Sequence, residues 1–238
     1  MTMEMHASMI DRMDQNIGRI LMLLDETKTA ENTLVVFISD NGASSETPNT
    51  PWIDNAVPGQ VGSYLTCGAS WANAQSTPFR KYKKYGQEGG RSTPCIIRWP
   101  AKVKPGTWTD SVAHIIDLQP TFMEVVGLDP EADLPKGKRS YDGESMATLL
   151  SGGSFVRKKP IYLEWNGNRA IRDGNWKATF IQGDKKWELF DIATDRTELN
   201  DLASKHPQRL TKMTHGWKQW AVSHGVLKKA AKPISDKL

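Results

Sequence analysis

The stretch Leu34-Val35-Val36-Phe37-Ile38-Ser39-Asp40-Asn41-Gly42 decides how the chain is read. An unbroken apolar run, rich in β-branched and aromatic residues, stops at an acidic residue, an amide and a glycine. So short a run, apolar at consecutive positions, fits a central strand of an α/β sheet buried on both faces. In such sheets ligands bind beyond the carboxyl ends of the strands. Asp40 and Asn41 would there offer two oxygen ligands for a hard cation, with Gly42 letting the backbone turn sharply. Asp-Asn-Gly is also good turn chemistry, so the triplet alone leaves a plain turn open.

Upstream, Met9, Ile10, Met13, Ile17, Ile20, Leu21 and Leu24 recur at helical spacing over Met9 to Thr27. Asp11 and Asp14 fall on the other sides of that helix, where a solvated face explains them better than metal ligation. Helix, short loop and buried strand predict a right-handed α/β unit. Downstream, Ala43 to Thr77 is dense in Ser, Thr, Asn, Pro and Gly. A compact domain rarely keeps so long a loop unless it serves a site. Its Trp52, Tyr64 and Trp71 would either line a pocket or pin the loop to the body of the protein. Arg80, Lys81, Lys83 and Lys84 then crowd together before the Gly89-Gly90 turn. One of them could reach an anion at the sheet edge, or all could form a solvated basic loop. Cys95 to Trp99 reads as another short buried strand, closed by Pro100.

Asp110 to Val126 is predicted as a helix that starts near Asp117, with Ile115, Ile116, Leu118, Phe122 and Val125 inward. His114, just before it, reads as a structural residue and not a ligand. Leu128 to Gly143 is a connector, Met146 to Leu150 a short apolar turn, and Gly152-Gly153 a boundary. Beyond Lys159 the period changes. Short strands are predicted at Ile161–Trp165, Arg169–Arg172, Trp176–Ile181 and Trp187–Phe190, separated by Asn166-Gly167, Asp173-Gly174 and Gly183-Asp184. Pro207 to Val222 returns to helical spacing, with Leu210, Met213, Trp217 and Trp220 on one face. The expectation is an antiparallel four-stranded sheet with a covering helix.

The 238 residues allow one large domain or somewhat more, and 38% hydrophobic with 24% charged residues describe a globular protein. No stretch approaches the roughly 18 apolar residues of a membrane span, and Met1 to His6 shows no signal-peptide pattern. Two cysteines, Cys67 and Cys95, make no disulfide framework or thiolate zinc site, and read as one buried and one loop residue. The net charge of +4 is mild and owes part to a tail carrying Lys228, Lys229, Lys232 and Lys237. No Lys/Arg stripe interleaved with aromatics points to nucleic acid.

The order of motifs resembles the sulfatase family, specifically the type I arylsulfatases of the alkaline-phosphatase-like superfamily. The matching segments are MIDRMDQNIGRIL, NTLVVFISDNGASSE, WANAQSTPFRKYKKYGQEGGRSTPCIIRWP, HIIDLQPTFMEVVG, GNRAIRDGNWKATF and WELFDIATDRTELNDLASKHP. They fall in the family's order over nearly the whole chain to about Val226. The resemblance implies the C-terminal part of an alkaline-phosphatase-like α/β sandwich over residues 1–156. A small antiparallel-sheet subdomain would follow over 157–226, then a disordered basic tail over 227–238.

It implies hydrolysis of sulfate esters, with a formylglycine made from a Cys or Ser in a C-x-P-x-R context, whose hydrated form attacks sulfur, and a Ca²⁺ that neutralises the sulfate oxygens. The Asp and Asn of the family's S-D-N-G motif, both metal ligands, map to Asp40 and Asn41. The sulfate-binding lysine, five residues before the E-G-G turn, maps to Lys83, a point charge with rotatable donors. Lys81 and Lys84 are near misses in register. Relatives commonly carry histidines where this chain has Lys84 and Trp165.

The sequence holds no C-x-P-x-R or S-x-P-x-R, and neither Cys67 nor Cys95 has that context. The paired Asp ligands and the histidine that the family carries upstream are also missing. The expectation is therefore the C-terminal half of a sulfatase, holding half a calcium site, inactive alone, and completed by the N-terminal half of the same domain. The strand of Leu34 to Ile38 would have incomplete sheet neighbours. The substrate would be a sulfated small molecule or polysaccharide, with no nucleic acid or membrane partner, and the family is mostly exported to the periplasm or outside the cell. Two alternatives stand beside this: a phosphatase, phosphonate hydrolase or phosphodiesterase of the same superfamily, and a non-catalytic remnant.

Overall fold

The computed structural model describes residues 2–46, 57, 59–63 and 66–227. The chain divides into two compact units, the first made of Met1–Lys83 and Glu88–Lys159, the second of Lys84–Gln87 and Pro160–Leu238.

In the first unit, α1 runs from Thr2 to Glu26, starting earlier than the apolar spacing from Met9 predicts. Nothing in Thr2 to Ser8 breaks a helix, and its Met, Glu and Ala residues favour one. The helix ends where Lys28 turns left-handed at φ 57° and the Thr29 amide reaches back to Leu24 O at 2.9 Å, a Schellman-type stop. Its apolar stripe is only partly used. Ile17, Leu21 and Leu24 are half-buried, whereas Met9, Ile10, Met13 and Ile20 stay exposed.

Strand β1, Val35–Ile38, pairs antiparallel with β2, Cys95–Arg98, in register Val35↔Arg98 through Ile38↔Cys95. These two form a sheet of their own. The expectation of a central strand buried on both faces is corrected here. Phe37 is 37% and Ile96 60% exposed. A strand apolar at every position is buried only when layers cover both faces of its sheet; the described residues supply one strand neighbour. Nor are the cysteines as expected: Cys67 is half-buried just ahead of α2 (Gly68–Ser76), and Cys95 is exposed on β2. Helix α3, Glu88–Arg91, replaces the predicted Gly-Gly turn.

A 3₁₀ turn over Ile115–Asp117 leads into α4, Leu118–Val125, and α5 covers Ala147–Leu150. The helix start near Asp117 is as predicted, but Ile115, Ile116 and Phe122 face outward, against expectation. What holds this region is polar. The fully buried Asp117 carboxylate accepts from the amides of His114 (2.7 Å) and Glu144 (2.8 Å) and pairs with the Arg157 guanidinium. His114 is structural as expected, its Nδ1 accepting from the Ile116 amide at 3.3 Å. Trp52 and Tyr64 lie outside the described residues, as do the tail lysines. Trp71, on α2, is exposed.

The second unit follows the predicted pattern closely. Strands β3 (Ile161–Trp165), β4 (Asn168–Asp173), β5 (Trp176–Ile181) and β6 (Lys186–Asp191) form an antiparallel meander in the order β3-β4-β5-β6. Helix α6, Pro207–Ser223, begins with proline in its first turn, where the missing N–H costs nothing. Ile171, Ala178 and Leu189 from the sheet meet Met213, Trp217 and Ala221 from α6 in one core. Trp217 Nε1 donates to Leu163 O at 2.8 Å, satisfying the indole as it is buried. Lys177 and Glu198, both buried, form an ion pair at 3.1 Å. Among the described residues no helix is long and apolar enough to cross a membrane.

Candidate functional site

The Asp40-Asn41-Gly42 triplet leaves β1 and is folded by its own side chains. Ser39 Oγ donates to Asn41 O at 2.8 Å, and Asn41 Nδ2 donates to Gly42 O at 3.0 Å. With its nitrogen so engaged, Asn41 keeps its side-chain oxygen for another partner. Asp40 is exposed, and among the described residues its carboxylate has no hydrogen bond or ion pair.

Gly42 is required for a different reason from the one the turn chemistry implies. Its φ is not in the left-handed region. Its amide donates to Gly90 O at 3.0 Å, and an added Cβ would stand 1.8 Å from Gly89 O. Close backbone approach demands the glycine. Gly89 is squeezed in turn: its amide donates to Arg80 O at 2.9 Å, and a Cβ there would lie 2.2 Å from Lys81 O. The Glu-Gly-Gly segment thus clamps the Asp40 loop on one side and the basic segment on the other.

Lys83 is drawn in by the same arrangement. Its amide donates to Ala43 O at 3.0 Å, and its Nζ reaches Glu46 Oε2 at 3.1 Å, the two side chains being 30% and 40% exposed. Glu46 is held by Ser44, whose hydroxyl accepts from the Glu46 amide at 3.3 Å. Lys81 (φ 64°) and Lys84 (φ 86°) bracket Lys83 in left-handed backbone conformations, which cost energy in residues with a Cβ. After Lys83 the chain enters the second unit. There a Cβ on Gly86 would lie 2.7 Å from Ala170 Cβ, and buried Gln87 donates to Thr179 Oγ1 at 3.2 Å.

All three residues singled out from the sequence, Asp40, Asn41 and Lys83, therefore sit in the first unit on segments hydrogen-bonded to one another. Glu46 escaped the sequence reading because its pairing with Lys83 spans 37 residues and leaves no local signature. For a hard cation the donor chemistry fits: a carboxylate without partners among the described residues, beside an amide oxygen. It fits as part of a site. Among the described residues no group of three or more His, Cys, Asp or Glu comes together, and Ca²⁺ takes six to eight oxygens.

Comparison with known proteins bears on what this arrangement belongs to. The model of the sulfatase family matches residues 2–128, and that of the N-sulphoglucosamine sulphohydrolase C-terminal region matches residues 80–219. The chain belongs to the sulfatase family. An uncharacterized sulfatase of Schizosaccharomyces pombe is 33% identical over 95% of this chain and 44% of its own length. The arylsulfatase of Klebsiella aerogenes is 34% identical over 56% of this chain and 31% of its own. The crystal structure of Ps i-CgsB in complex with k-i-k-neocarrahexaose superposes with a TM-score of 0.67 and 26% identity, covering 87% of this chain and 40% of that one. This sulfatase-family chain thus spans less than half the length of these relatives. Its fold is that of the alkaline-phosphatase-like sulfatases, with the four-stranded sheet and helix at the carboxyl-terminal side of the sequence.

Proposed function

We propose that this chain contributes the C-terminal half of the catalytic domain of a calcium-dependent sulfuric ester hydrolase, with Asp40 and Asn41 as metal ligands and Lys83 as the sulfate-binding group. The observation that carries the reading is the backbone clamp of Gly42, Gly89 and Gly90, which ties the loop bearing two oxygen donors to the segment bearing the lysine. Asp40 offers a carboxylate oxygen and Asn41 its amide oxygen on a turn fixed by Ser39 and Gly42, and the bond of Asn41 Nδ2 to Gly42 O orients the Asn41 oxygen in advance. Calcium bound there would neutralise sulfate oxygens as charge builds on them. The formylglycine nucleophile and the remaining ligands would come from the N-terminal half of the domain.

Lys83 does its work by electrostatics. The Glu46 carboxylate at 3.1 Å holds the ammonium in place, while two of its three N–H groups remain for a sulfate oxygen. The exposed stripe of α1 and the open faces of β1 and β2 are surfaces the N-terminal half would cover.

The test uses the full chain labelled for NMR and titrated with Ca²⁺ and then sulfate. Ca²⁺ is expected to shift the Asn41 side-chain amide, and sulfate the Lys83 ammonium, with Lys83→Ala abolishing the second response. Phosphate moving Lys83 more than sulfate would favour the phosphatase alternative; a response centred on Lys81 or Lys84 would sink the assignment of Lys83. Incubated with an aryl sulfate and Ca²⁺, the chain alone is expected to show no turnover, and substantial turnover would overturn the half-site reading.

A further inference from the structure

The second unit carries a basic surface that the proposed sulfate chemistry does not use. From Leu202 to Leu227 the sequence contains no Asp or Glu, whereas Lys205, Arg209, Lys212 and Lys218 all fall within or just ahead of α6. Arg209 and Lys212, three residues apart, share one ridge of the helix, and Lys205 stands just ahead of its N-cap His206. All are exposed, and none has an ion pair among the described residues. Surface cations are ordinarily interspersed with carboxylates that screen them, so an acid-free ridge concentrates positive potential.

The ridge is also shaped. Lys205, His206, Pro207, Gln208, Arg209 and Lys212 line an open groove of about 540 Å³. Two of its members are ordered by an aromatic from the start of β5. The Arg209 guanidinium lies 4.4 Å over the Trp176 ring, and His206 meets the same ring edge-on at 5.1 Å. A guanidinium fixed in this way loses less freedom on meeting an anion.

We propose that this groove is a second binding surface for a sulfated polysaccharide, with Lys205, Arg209 and Lys212 contacting successive sulfate groups. The choice of occupant rests on the sulfuric ester reading above. A substrate that presents one sulfate ester to Lys83 and is polymeric carries others along its length, and spaced fixed anions match spaced cations better than one small ion does.

The experiment measures binding of a fluorescent heparin dodecasaccharide to the full chain at about 0.1 M salt, where exposed charges still act over roughly 10 Å. K205Q/R209Q/K212Q is expected to weaken binding about tenfold or more and to flatten its salt dependence, as loss of neutralising cations does for other polyanions. K205Q/K212Q, which leaves the Arg209–Trp176 stack intact, is expected to lose affinity while keeping the wild-type circular dichroism. The desulfated dodecasaccharide is expected not to bind. Equal binding by wild type and triple variant overturns the groove, as does no binding at all. Tighter binding of single-stranded DNA or of phosphatidylserine vesicles overturns the choice of occupant. Lys83→Gln, which removes the proposed sulfate-binding group, is expected to weaken binding of the dodecasaccharide less than K205Q/R209Q/K212Q does. If it alone abolishes binding, the groove is wrong while the assignment of Lys83 to sulfate stands.

Discussion

The two units of this chain use apolar residues in opposite ways. Nine of the thirteen buried hydrophobic residues among those described belong to the second unit, although it is the smaller. There, one face of a four-stranded meander is covered by α6, and Ile171, Ala178, Leu189, Met213, Trp217 and Ala221 pack into one core. In the larger first unit the buried apolar residues are Ala72, Met146, Leu150 and Phe155, while Met9, Ile10, Met13, Ile20, Phe37 and Ile96 remain exposed. Its organisation comes instead from hydrogen bonds and charge, around Asp117 and along the Gly42–Gly90 clamp. A sheet with a helix on one face closes its own core. A strand pair apolar on both faces does not.

That contrast is broken most severely at Trp217. Trp217→Ala removes the centre of the second unit's core and orphans Leu163 O, and is expected to cost about 3–5 kcal/mol, read as a lower urea midpoint with loss of amide-exchange protection across β3 to β6. Protection unchanged in that sheet would show that α6 is not what stabilises it. In the first unit the corresponding site is polar. Asp117→Asn leaves the buried Arg157 guanidinium without its countercharge and is expected to cost about 3 kcal/mol, with faster exchange at His114 and Glu144 and none of the loss reaching the second unit's sheet.

Acid should separate the units by a smaller margin. Burial holds His114 below its ordinary value of 6.5, with the Arg157 and Arg91 charges acting in the same sense and Asp117 against them. A depressed folded value means that stability is fully present above pH 6.5 and is lost as pH falls below it, because only the unfolded chain takes up the proton. In the second unit burial alone would raise Asp201, but the Lys186 ammonium and the amides of Ala203 and Leu189 hold it below its ordinary value of 3.8. Its contribution is therefore kept until pH drops below about that figure. Exchange measured between pH 7 and 5 should loosen the His114 to Asp117 region first, with the sheet of the second unit still protected. The smallest effect belongs to the exposed stripe. Met13→Lys is expected to change this chain's stability by no more than about 0.5 kcal/mol, although the same change would hinder any partner that covers α1.

How far the sequence could be read follows the same division. Strands β3 to β6 lie within a residue of their predicted bounds, since Asn166-Gly167, Asp173-Gly174 and Gly183-Asp184 fix the reversals locally and alternation fixes the faces. The face of α6 was legible for the same reason, its spacing being intrinsic to the helix. Leu34 to Ile38 was legible as a strand but not as a half-exposed one, because burial depends on what packs against a face. Ile115, Ile116 and Phe122 misled in the same way.

The Asp40-Asn41-Gly42 triplet shows where the boundary falls. The sequence by itself supplied the donor chemistry of Asp40 and Asn41 and the family order of the motifs, a resemblance that points to Lys83 among its neighbours. Only the tertiary structure decided that Gly42 serves a close backbone approach and not a left-handed turn, that Lys83 is paired with Glu46, that Asp117 is the buried anchor of its region, and that Arg209 of α6 lies over the Trp176 ring. Local preferences are set by neighbours in the chain, which the sequence states directly. Contacts such as Lys83 with Glu46 or Gly42 with Gly90 depend on segments far apart in sequence meeting at a distance that backbone and charge alone determine.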